Sequence, residues 1–103
     1  KKLSSPFMTI TFDTTPKGQI DLAAAIHPYD KTTRPQILKQ EDNPRYYNII
    51  KEFEKLTGIG ALLNTSFNIH GEPIVCNPHD ALSTLQRSNL KFLAMDEYLI
   101  EKK

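Results

Sequence analysis

The chain has 103 residues, of which 39% are apolar and 24% charged, a composition that is ordinary for a globular protein and unlike that of disordered or fibrous chains. At this length we expect one domain spanning residues 1–103. Thirteen basic and twelve acidic residues leave a net charge of +1, so no overall electrostatic field would draw the chain to nucleic acid or to an anionic membrane. Any phosphate ligand must therefore be held by local geometry.

The start of the chain, its apolar runs and its cysteine content bear on where the protein resides in the cell. The chain opens on Lys1 without an initiator methionine, so we expect a fragment of a longer protein. It has no signal segment and no apolar run of the ~20 residues needed to span a bilayer, so we expect no membrane association. The single cysteine, Cys76, cannot form an internal disulfide, which favours a cytoplasmic location.

The first third of the chain predicts extended structure. Residues 7–12 are rich in β-branched and aromatic side chains and predict a strand, which is followed by turn residues over 13–18. Residues 20–26 form too short a stretch for a helix and favour a second strand. Residues 32–38 are expected to be extended around a proline, so that Arg34 lies on a sheet edge or in an irregular segment.

Two helices are predicted in the rest of the chain. The first begins with Asn43 as N-cap and a proline at the first helical position, and ends at Gly58. The second begins at Asn77 in the same way, and short strands are predicted on either side of these helices at residues 59–63, 92–95 and 98–100. This order of elements predicts an α+β, or mixed α/β, fold with a twisted mixed sheet and helices on one face.

The densest group of polar side chains follows the predicted strand at 59–63. If residues 64–68 are extended, Asn64, Ser66 and Asn68 project from one face, close to Gly71. Short hydrogen-bonding groups beside a glycine suit a phosphate or an amide-like ligand. A turn whose side chains cap their own backbone is an equally open interpretation.

A second polar group lies at alternate positions from residue 30 to residue 36, after His27. In an extended segment these side chains share one face and offer a carboxylate, a hydroxyl, a guanidinium and an amide, from Asp30, Thr32, Arg34 and Gln36. Arg34 is the phosphate candidate, because its planar donors match phosphate oxygens in pairs. The alternative is a surface ion pair between Asp30 and Arg34 that contributes little energy.

Other kinds of site are not indicated by the sequence. Three histidines, His27, His70 and His79, lack the spacing that sets two ligands on one helix face, so we predict no metal site. Cys76 is interpreted as a small buried apolar residue rather than a nucleophile. The chain also lacks a Gly-rich P-loop, a dinucleotide fingerprint and a Gly-x-Ser-x-Gly elbow.

Residues 61–76, with the run Asn-Thr-Ser-Phe-Asn-x-x-Gly-Glu-Pro-Ile, and residues 78–82 resemble the C-terminal domain of the carbamoyltransferase family. That family includes a nodulation protein that carbamoylates lipochitin oligosaccharides and antibiotic enzymes that carbamoylate tobramycin and cephamycins. Residues 30–36 are similar to the family's Asp-Gly-Thr-Ala-Arg-Val-Gln pattern, and the helix that begins after Asn43 fits as well. In two departures, Lys31 replaces the glycine of that pattern, and the basic segment that precedes this region in YrdC-type domains is absent.

The resemblance implies a two-domain enzyme. An N-terminal Kae1-like domain would bind iron and the acceptor, and a C-terminal YrdC-like domain, to which this chain would belong, would form carbamoyl-adenylate from ATP and carbamoyl phosphate with release of pyrophosphate. By the same resemblance Arg34 and Ser66 are the catalytic residues and touch phosphates, while Thr32, Asn64 and Asn68 orient carbamoyl or phosphate groups. The predicted ligand-binding set also includes Asp30 and Gln36.

Two other functions are compatible with the same sequence. One is a non-catalytic nucleotide- or RNA-binding YrdC-like module, although the near-zero net charge and the lack of a basic patch with interleaved aromatic residues argue against RNA. The other is a scaffold that covers a face of the partner domain. On the carbamoyltransferase interpretation, the chain supplies only part of the phosphate site and is expected to be inactive alone.

Overall fold

The computed structural model describes residues 4–103 and divides into two compact units, Lys1–Leu63 and Asn64–Lys103. Each unit combines helical structure with one two-stranded antiparallel sheet. The predicted α+β class is therefore confirmed. The strands of the described residues form two separate pairs, however, rather than the single mixed sheet that the order of elements predicted.

The first unit begins with a short strand pair. Strand β1 (Phe12–Asp13) pairs antiparallel with β2 (Thr32–Thr33), so that Phe12 lies opposite Thr33. The predicted strand over residues 7–12 is wrong except at its last residue, because residues 8 and 9 turn and the Thr9 amide donates to the Phe7 carbonyl at 2.8 Å. This local turn uses a backbone donor that a longer strand would have given to a partner.

The segment between β1 and β2 is helical, so the predicted strand over residues 20–26 is wrong. Helix α1 (Pro16–Asp21) is followed by a 3-10 turn (Ala23–Ala25). The hydroxyl of Thr15 accepts the Gly18 amide at 3.1 Å as an N-cap, and a proline occupies the first helical position. The helix-start signals and the helix propensity of the alanines therefore override the strand preference of the β-branched residues at 20 and 26.

Helix α2 (Pro44–Thr57) confirms the prediction at both ends. The side chain of Asn43 accepts the Tyr46 amide at 3.1 Å, and Gly58, with φ of +77°, ends the helix in the left-handed conformation. No residue of α2 is buried. After it, the predicted strand at 59–63 is wrong: these residues are irregular, because an apolar run forms a strand only where a partner takes up its hydrogen bonds.

The second unit contains the buried core of the described chain. Helix α3 (Pro78–Arg87) packs on a hairpin of β3 (Phe92–Met95) and β4 (Tyr98–Glu101). The helix and both strands lie where the sequence predicted them. The buried apolar residues are Ala81 and Leu85 of α3 and Leu93 of β3. Four partly buried side chains surround them, Phe67, Val75, Met95 and Ile100. The polar segment that begins at residue 64 is thus attached to this core through Phe67 and Val75.

Candidate functional site

In the first unit, the turn that enters β2 is closed by backbone hydrogen bonds. The His27 amide donates to the Thr32 carbonyl at 2.8 Å, and the Lys31 amide donates to the His27 carbonyl at 3.0 Å. Inside the turn, Asp30 Oδ1 accepts from the Thr32 amide at 3.0 Å and from the Thr32 hydroxyl at 2.8 Å. The Asp30 carboxylate and the Thr32 hydroxyl are therefore bonded to each other across the start of the strand.

The Asp30 carboxylate is stabilised in its charged form. The Thr32 hydroxyl and then the Thr32 amide lower the pKa of Asp30, and His27 adds a smaller effect from Nδ1, 3.2 Å from Oδ1. These contacts replace the Asp30–Arg34 surface pair that the sequence left open: no ion pair joins those two residues within the described range. Asp30 shapes the turn and remains an anion beside the candidate phosphate residue.

Arg34 is exposed, and its guanidinium has no hydrogen-bond or ion-pair partner among residues 4–103. It borders an open concavity of about 520 Å³ lined by Thr11, Ala25, Ile26, His27, Asp30, Thr32, Thr33 and Arg34. Gln36 is not part of this lining, and its amide donates to the Pro6 carbonyl at 3.0 Å. The structure thus brings three of the predicted ligand residues of this unit, Asp30, Thr32 and Arg34, to one concavity. The fourth, Gln36, lies outside the lining of that concavity and bonds to the Pro6 backbone instead.

Lys31 occupies the position where the family pattern has glycine. Its backbone conformation is one that glycine adopts more easily than other residues do. Its φ of 59° lies in the left-handed region, which costs an L residue about 1–2 kcal/mol. Part of this cost is offset by a hydrogen bond from Lys31 Nζ to the Pro28 carbonyl at 2.8 Å. The turn therefore keeps the closed conformation without the glycine.

Lys31→Gly is expected to raise the free energy of unfolding by up to about 1 kcal/mol, because the left-handed strain disappears while the unfolded chain gains some freedom. The urea midpoint of the chain checks this. Lys39→Gly is the matched control, since Lys39 is an exposed lysine without positive φ and glycine there should only destabilise. Equal destabilisation by both changes would contradict the strain at Lys31.

In the second unit, residues 66–75 form a closed loop, here called the motif loop. The Val75 amide donates to the Phe67 carbonyl at 3.0 Å and closes its neck. At the far end, the Glu72 amide donates to the Ile69 carbonyl at 2.9 Å around Gly71, whose φ of +84° requires glycine-like freedom. The polar residues of the sequence motif thus lie in and beside a turn, not on a strand.

Asn68 fills the interior of the motif loop. Its Nδ2 donates to the Ile69 carbonyl at 3.2 Å and the Glu72 carbonyl at 2.9 Å, and its Oδ1 accepts the Ser66 hydroxyl at 2.6 Å. The turn-capping interpretation left open by the sequence therefore describes Asn68. Asn64, in contrast, is exposed, and its amide makes no hydrogen bond within the described part of the chain. Ser66 is also exposed and keeps its oxygen lone pairs.

Two residues of this site region are missed by sequence reasoning. Arg87, at the end of α3, donates from its two terminal nitrogens to the two Glu72 carboxylate oxygens at 2.6 and 2.8 Å. This fork lowers the pKa of Glu72, chiefly through the Arg87 hydrogen bonds. The two residues lie fifteen positions apart, so no local sequence pattern pairs them. The Gly71-Glu72-Pro73 part of the motif was a sequence signal for Glu72, and no such signal existed for Arg87.

Cys76 differs from its predicted role as a buried apolar residue, because it is exposed. Its thiol donates to Asp80 Oδ2 at 3.2 Å, and this carboxylate raises the pKa of Cys76. A raised thiol pKa means less thiolate at neutral pH, and the thiolate is the nucleophilic form. The geometry therefore does not favour nucleophilic chemistry at this position.

Within residues 4–103, none of the helices combines the length and the hydropathy that crossing a membrane requires. A family model described as "Carbamoyltransferase C-terminus" matches residues 1–102. The similarity to individual proteins extends over most of the chain but over only a small part of each relative.

The protein MJ1051 of Methanocaldococcus jannaschii is 45% identical over 98 residues, which cover 95% of this chain and 19% of that protein. Nodulation protein NolO of Bradyrhizobium diazoefficiens is 39% identical over 87 residues, or 84% of this chain and 16% of its own length. Nodulation protein NolNO of Sinorhizobium fredii is 38% identical over 98 residues, with coverages of 95% and 14%. The chain thus spans less than a fifth of these relatives, and it belongs to the carbamoyltransferase family as part of the family's C-terminal region.

Proposed function

We propose that this chain is the C-terminal part of an ATP-dependent O-carbamoyltransferase and contributes phosphate and carbamoyl contacts for forming carbamoyl-adenylate from ATP and carbamoyl phosphate. The observation that carries the proposal is Arg34, a guanidinium without a partner among residues 4–103, beside an open concavity and within a segment that resembles the family pattern. Because the Arg34 guanidinium forms no hydrogen bond or ion pair with residues 4–103, no such bond has to break when it turns towards a ligand. Its two parallel donors match two oxygens of one phosphate.

The reaction requires stabilisation of negative charge more than covalent participation of the protein. Its atoms balance when ATP, carbamoyl phosphate and one water give carbamoyl-adenylate, pyrophosphate and inorganic phosphate. Water first attacks the phosphorus of carbamoyl phosphate and the bond from that phosphorus to the carbamoyl oxygen breaks, which gives inorganic phosphate and carbamate. A carbamate oxygen then forms the new bond to the α-phosphorus of ATP, and the bond from that phosphorus to the bridging oxygen breaks, so that pyrophosphate leaves with the electron pair. In this step Arg34 would bind phosphate oxygens as their charge redistributes, which is the role of a preorganised cationic donor.

The motif loop, together with Asn64 just before it, would supply neutral contacts. The Ser66 hydroxyl donates to Asn68 Oδ1 in the structure, but a hydroxyl rotates freely and can donate to a phosphate oxygen instead. The amide of Asn64 has no partner in the described residues and could orient the carbamoyl group through one donor and one acceptor. In this proposal Asn68 holds the loop in shape, and Thr32 remains a ligand contact whose hydroxyl is oriented by Asp30.

The remaining functions would belong to the rest of a longer protein. We assign the acceptor and its hydroxyl to an N-terminal Kae1-like domain, and this chain to a YrdC-like domain. The iron that the resemblance implies would belong to that N-terminal domain. Within residues 4–103, no group of three His, Cys, Asp or Glu side chains is placed to hold a metal ion. Exposed apolar side chains on α2, including Ile49 and Leu56, offer surface for contact with such a domain.

The test is pyrophosphate release by the longer protein. We expect release only when ATP and carbamoyl phosphate are both present, and none from the 103-residue chain alone. Omission of each substrate is the control for unspecific ATP hydrolysis. Pyrophosphate release that does not depend on carbamoyl phosphate would contradict the proposal. Binding of mixed RNA at physiological salt without any pyrophosphate release would instead support the non-catalytic module.

A further inference from the structure

The Glu72–Arg87 fork joins the far end of the motif loop to the best-packed helix of the described chain. Arg87 is the last residue of α3, whose Ala81, Thr84 and Leu85 are buried. Besides the two bonds to Glu72, Arg87 donates from Nε to the Ser83 hydroxyl at 3.2 Å. All three guanidinium nitrogens are therefore engaged, and the bond to Ser83 of the same helix helps to orient the arginine towards Glu72.

The loop transmits this attachment to the site residues through short contacts. The residue that Arg87 holds, Glu72, also accepts Asn68 Nδ2 on its carbonyl at 2.9 Å. Asn68 in turn accepts the Ser66 hydroxyl at 2.6 Å. Hydrogen bonds to the side chain and to the backbone carbonyl of Glu72 thus connect Arg87 with Asn68, and Asn68 bonds to Ser66. The neck between Phe67 and Val75 fixes the opposite end of the loop.

We propose that Glu72 and Arg87 are positioning residues, whose bidentate pair fixes the motif loop and thereby sets the positions of Asn68 and Ser66. The inference rests on the proposed function in that Ser66 is taken as a phosphate contact. Neither Glu72 nor Arg87 needs to touch a substrate. Their effect on catalysis would arise because a small displacement of a contacting group is enough to lower the rate strongly.

A purely energetic role is a poor explanation of this pair. The side chains of Arg87 and Glu72 are 51% and 38% exposed, and exposed ion pairs contribute little to stability because water and salt screen them. The geometry is nevertheless bidentate and joins two segments that the backbone does not connect nearby. We therefore expect substitutions here to change loop geometry and turnover while changing the global stability little.

The experiment uses the longer protein and two measurements. Arg87→Ala is expected to speed amide hydrogen exchange at Glu72 about 10-fold or more, leave Val75 unchanged, and lower kcat for pyrophosphate release about 10- to 100-fold with little change in KM for ATP. The Glu72→Arg, Arg87→Glu double variant is expected to recover most of the lost kcat, because the pair is rebuilt with its charges exchanged. Gln86→Ala, an exposed neighbour on α3, is the matched control.

Acid provides a further check. Because Arg87 holds the pKa of Glu72 below its usual value of 4.5, the fork should persist as pH falls through that value and open only at lower pH, when the carboxylate becomes protonated. In Arg87→Ala the pKa of Glu72 should return towards its usual range. A two-dimensional carboxyl titration measures this difference without reference to catalysis.

Three outcomes would overturn the inference. Unchanged exchange at Glu72 in Arg87→Ala would mean that the fork does not fix the loop. Faster exchange with unchanged kcat would mean that loop order does not position Ser66. Failure of the charge-exchanged variant to recover either quantity would mean that the residues act separately. If the longer protein released no pyrophosphate, the proposed function would fail, and the exchange measurement would still decide whether the fork fixes the loop.

Discussion

Replacing Arg34 by alanine in the longer protein is expected to lower kcat/KM for pyrophosphate release by about 10²- to 10³-fold, the usual effect of removing one preorganised donor from developing charge. The same change should leave the thermal midpoint within about 2 °C of the wild type, because Arg34 is exposed and bonds to no residue of the described chain. The combination of lost activity and retained stability is what distinguishes a ligand contact from a structural residue.

Two further variants test whether the effect of Arg34→Ala comes from the shape of the guanidinium or from the loss of any positive charge. Arg34→Lys keeps the charge and loses the planar fork, so we expect activity between that of the wild type and that of the alanine variant. Lys39→Ala removes another exposed cation of the same unit, which forms an ion pair with Glu41 at 3.7 Å, and should leave kcat/KM unchanged. Wild-type turnover in Arg34→Ala would remove the basis of the proposed function. A loss of activity accompanied by a large fall in thermal midpoint would favour the scaffold interpretation instead.

The largest loss of stability is expected for Leu85→Ala. Leu85 is 3% exposed and lies at the centre of the small core of the second unit, with Ala81 and Leu93. Its truncation removes buried apolar area and leaves a cavity, which together cost about 2–4 kcal/mol. Because marginally stable domains have only about 5–15 kcal/mol in total, a core of three buried apolar residues should not tolerate this change well.

Urea unfolding of the chain, followed by the amide resonances of β3 and β4, measures this effect within the second unit. Leu82→Ala is the matched control, since Leu82 lies on the same helix and is 39% exposed. We expect the Leu85 variant to have a much lower urea midpoint than the Leu82 variant. Equal midpoints would contradict the core as described.

The Leu85 variant should also affect the motif loop. Phe67 and Val75, which form the neck of that loop, pack against the same core. Loss of the core would therefore loosen the attachment of Ser66 and Asn68 from the side opposite the Glu72–Arg87 fork. This would link the stability of the second unit to the geometry of its predicted phosphate contacts.

Helices α2 and α3 follow directly from the sequence, because their start signals are local. Each begins with asparagine and proline, at Asn43-Pro44 and Asn77-Pro78, and in each the asparagine side chain accepts the backbone amide three residues later. Such capping depends on neighbours in sequence and needs no tertiary partner. The α+β class and the resemblance to the carbamoyltransferase family were readable for the same reason, from contiguous patterns.

The strands were decided by pairing, which sequence patterns do not reveal. The apolar run at 59–63 predicts a strand, yet no described segment pairs with it, and the segment at 20–26 becomes helical because Thr15 and Pro16 start a helix before it. Hydrogen bonds between strands join residues far apart in sequence, so their presence follows from the tertiary arrangement.

The candidate site shows the same division. The sequence determined which side chains are present and that Asp30, Thr32 and Arg34 alternate along one segment. Only the tertiary structure decided that Asp30 binds Thr32 and leaves Arg34 without a partner in the described chain, and that Asn68 fills its own loop. The pairing of Glu72 with Arg87 was equally beyond the sequence, because packing of α3 on its hairpin brings together residues that no local pattern connects.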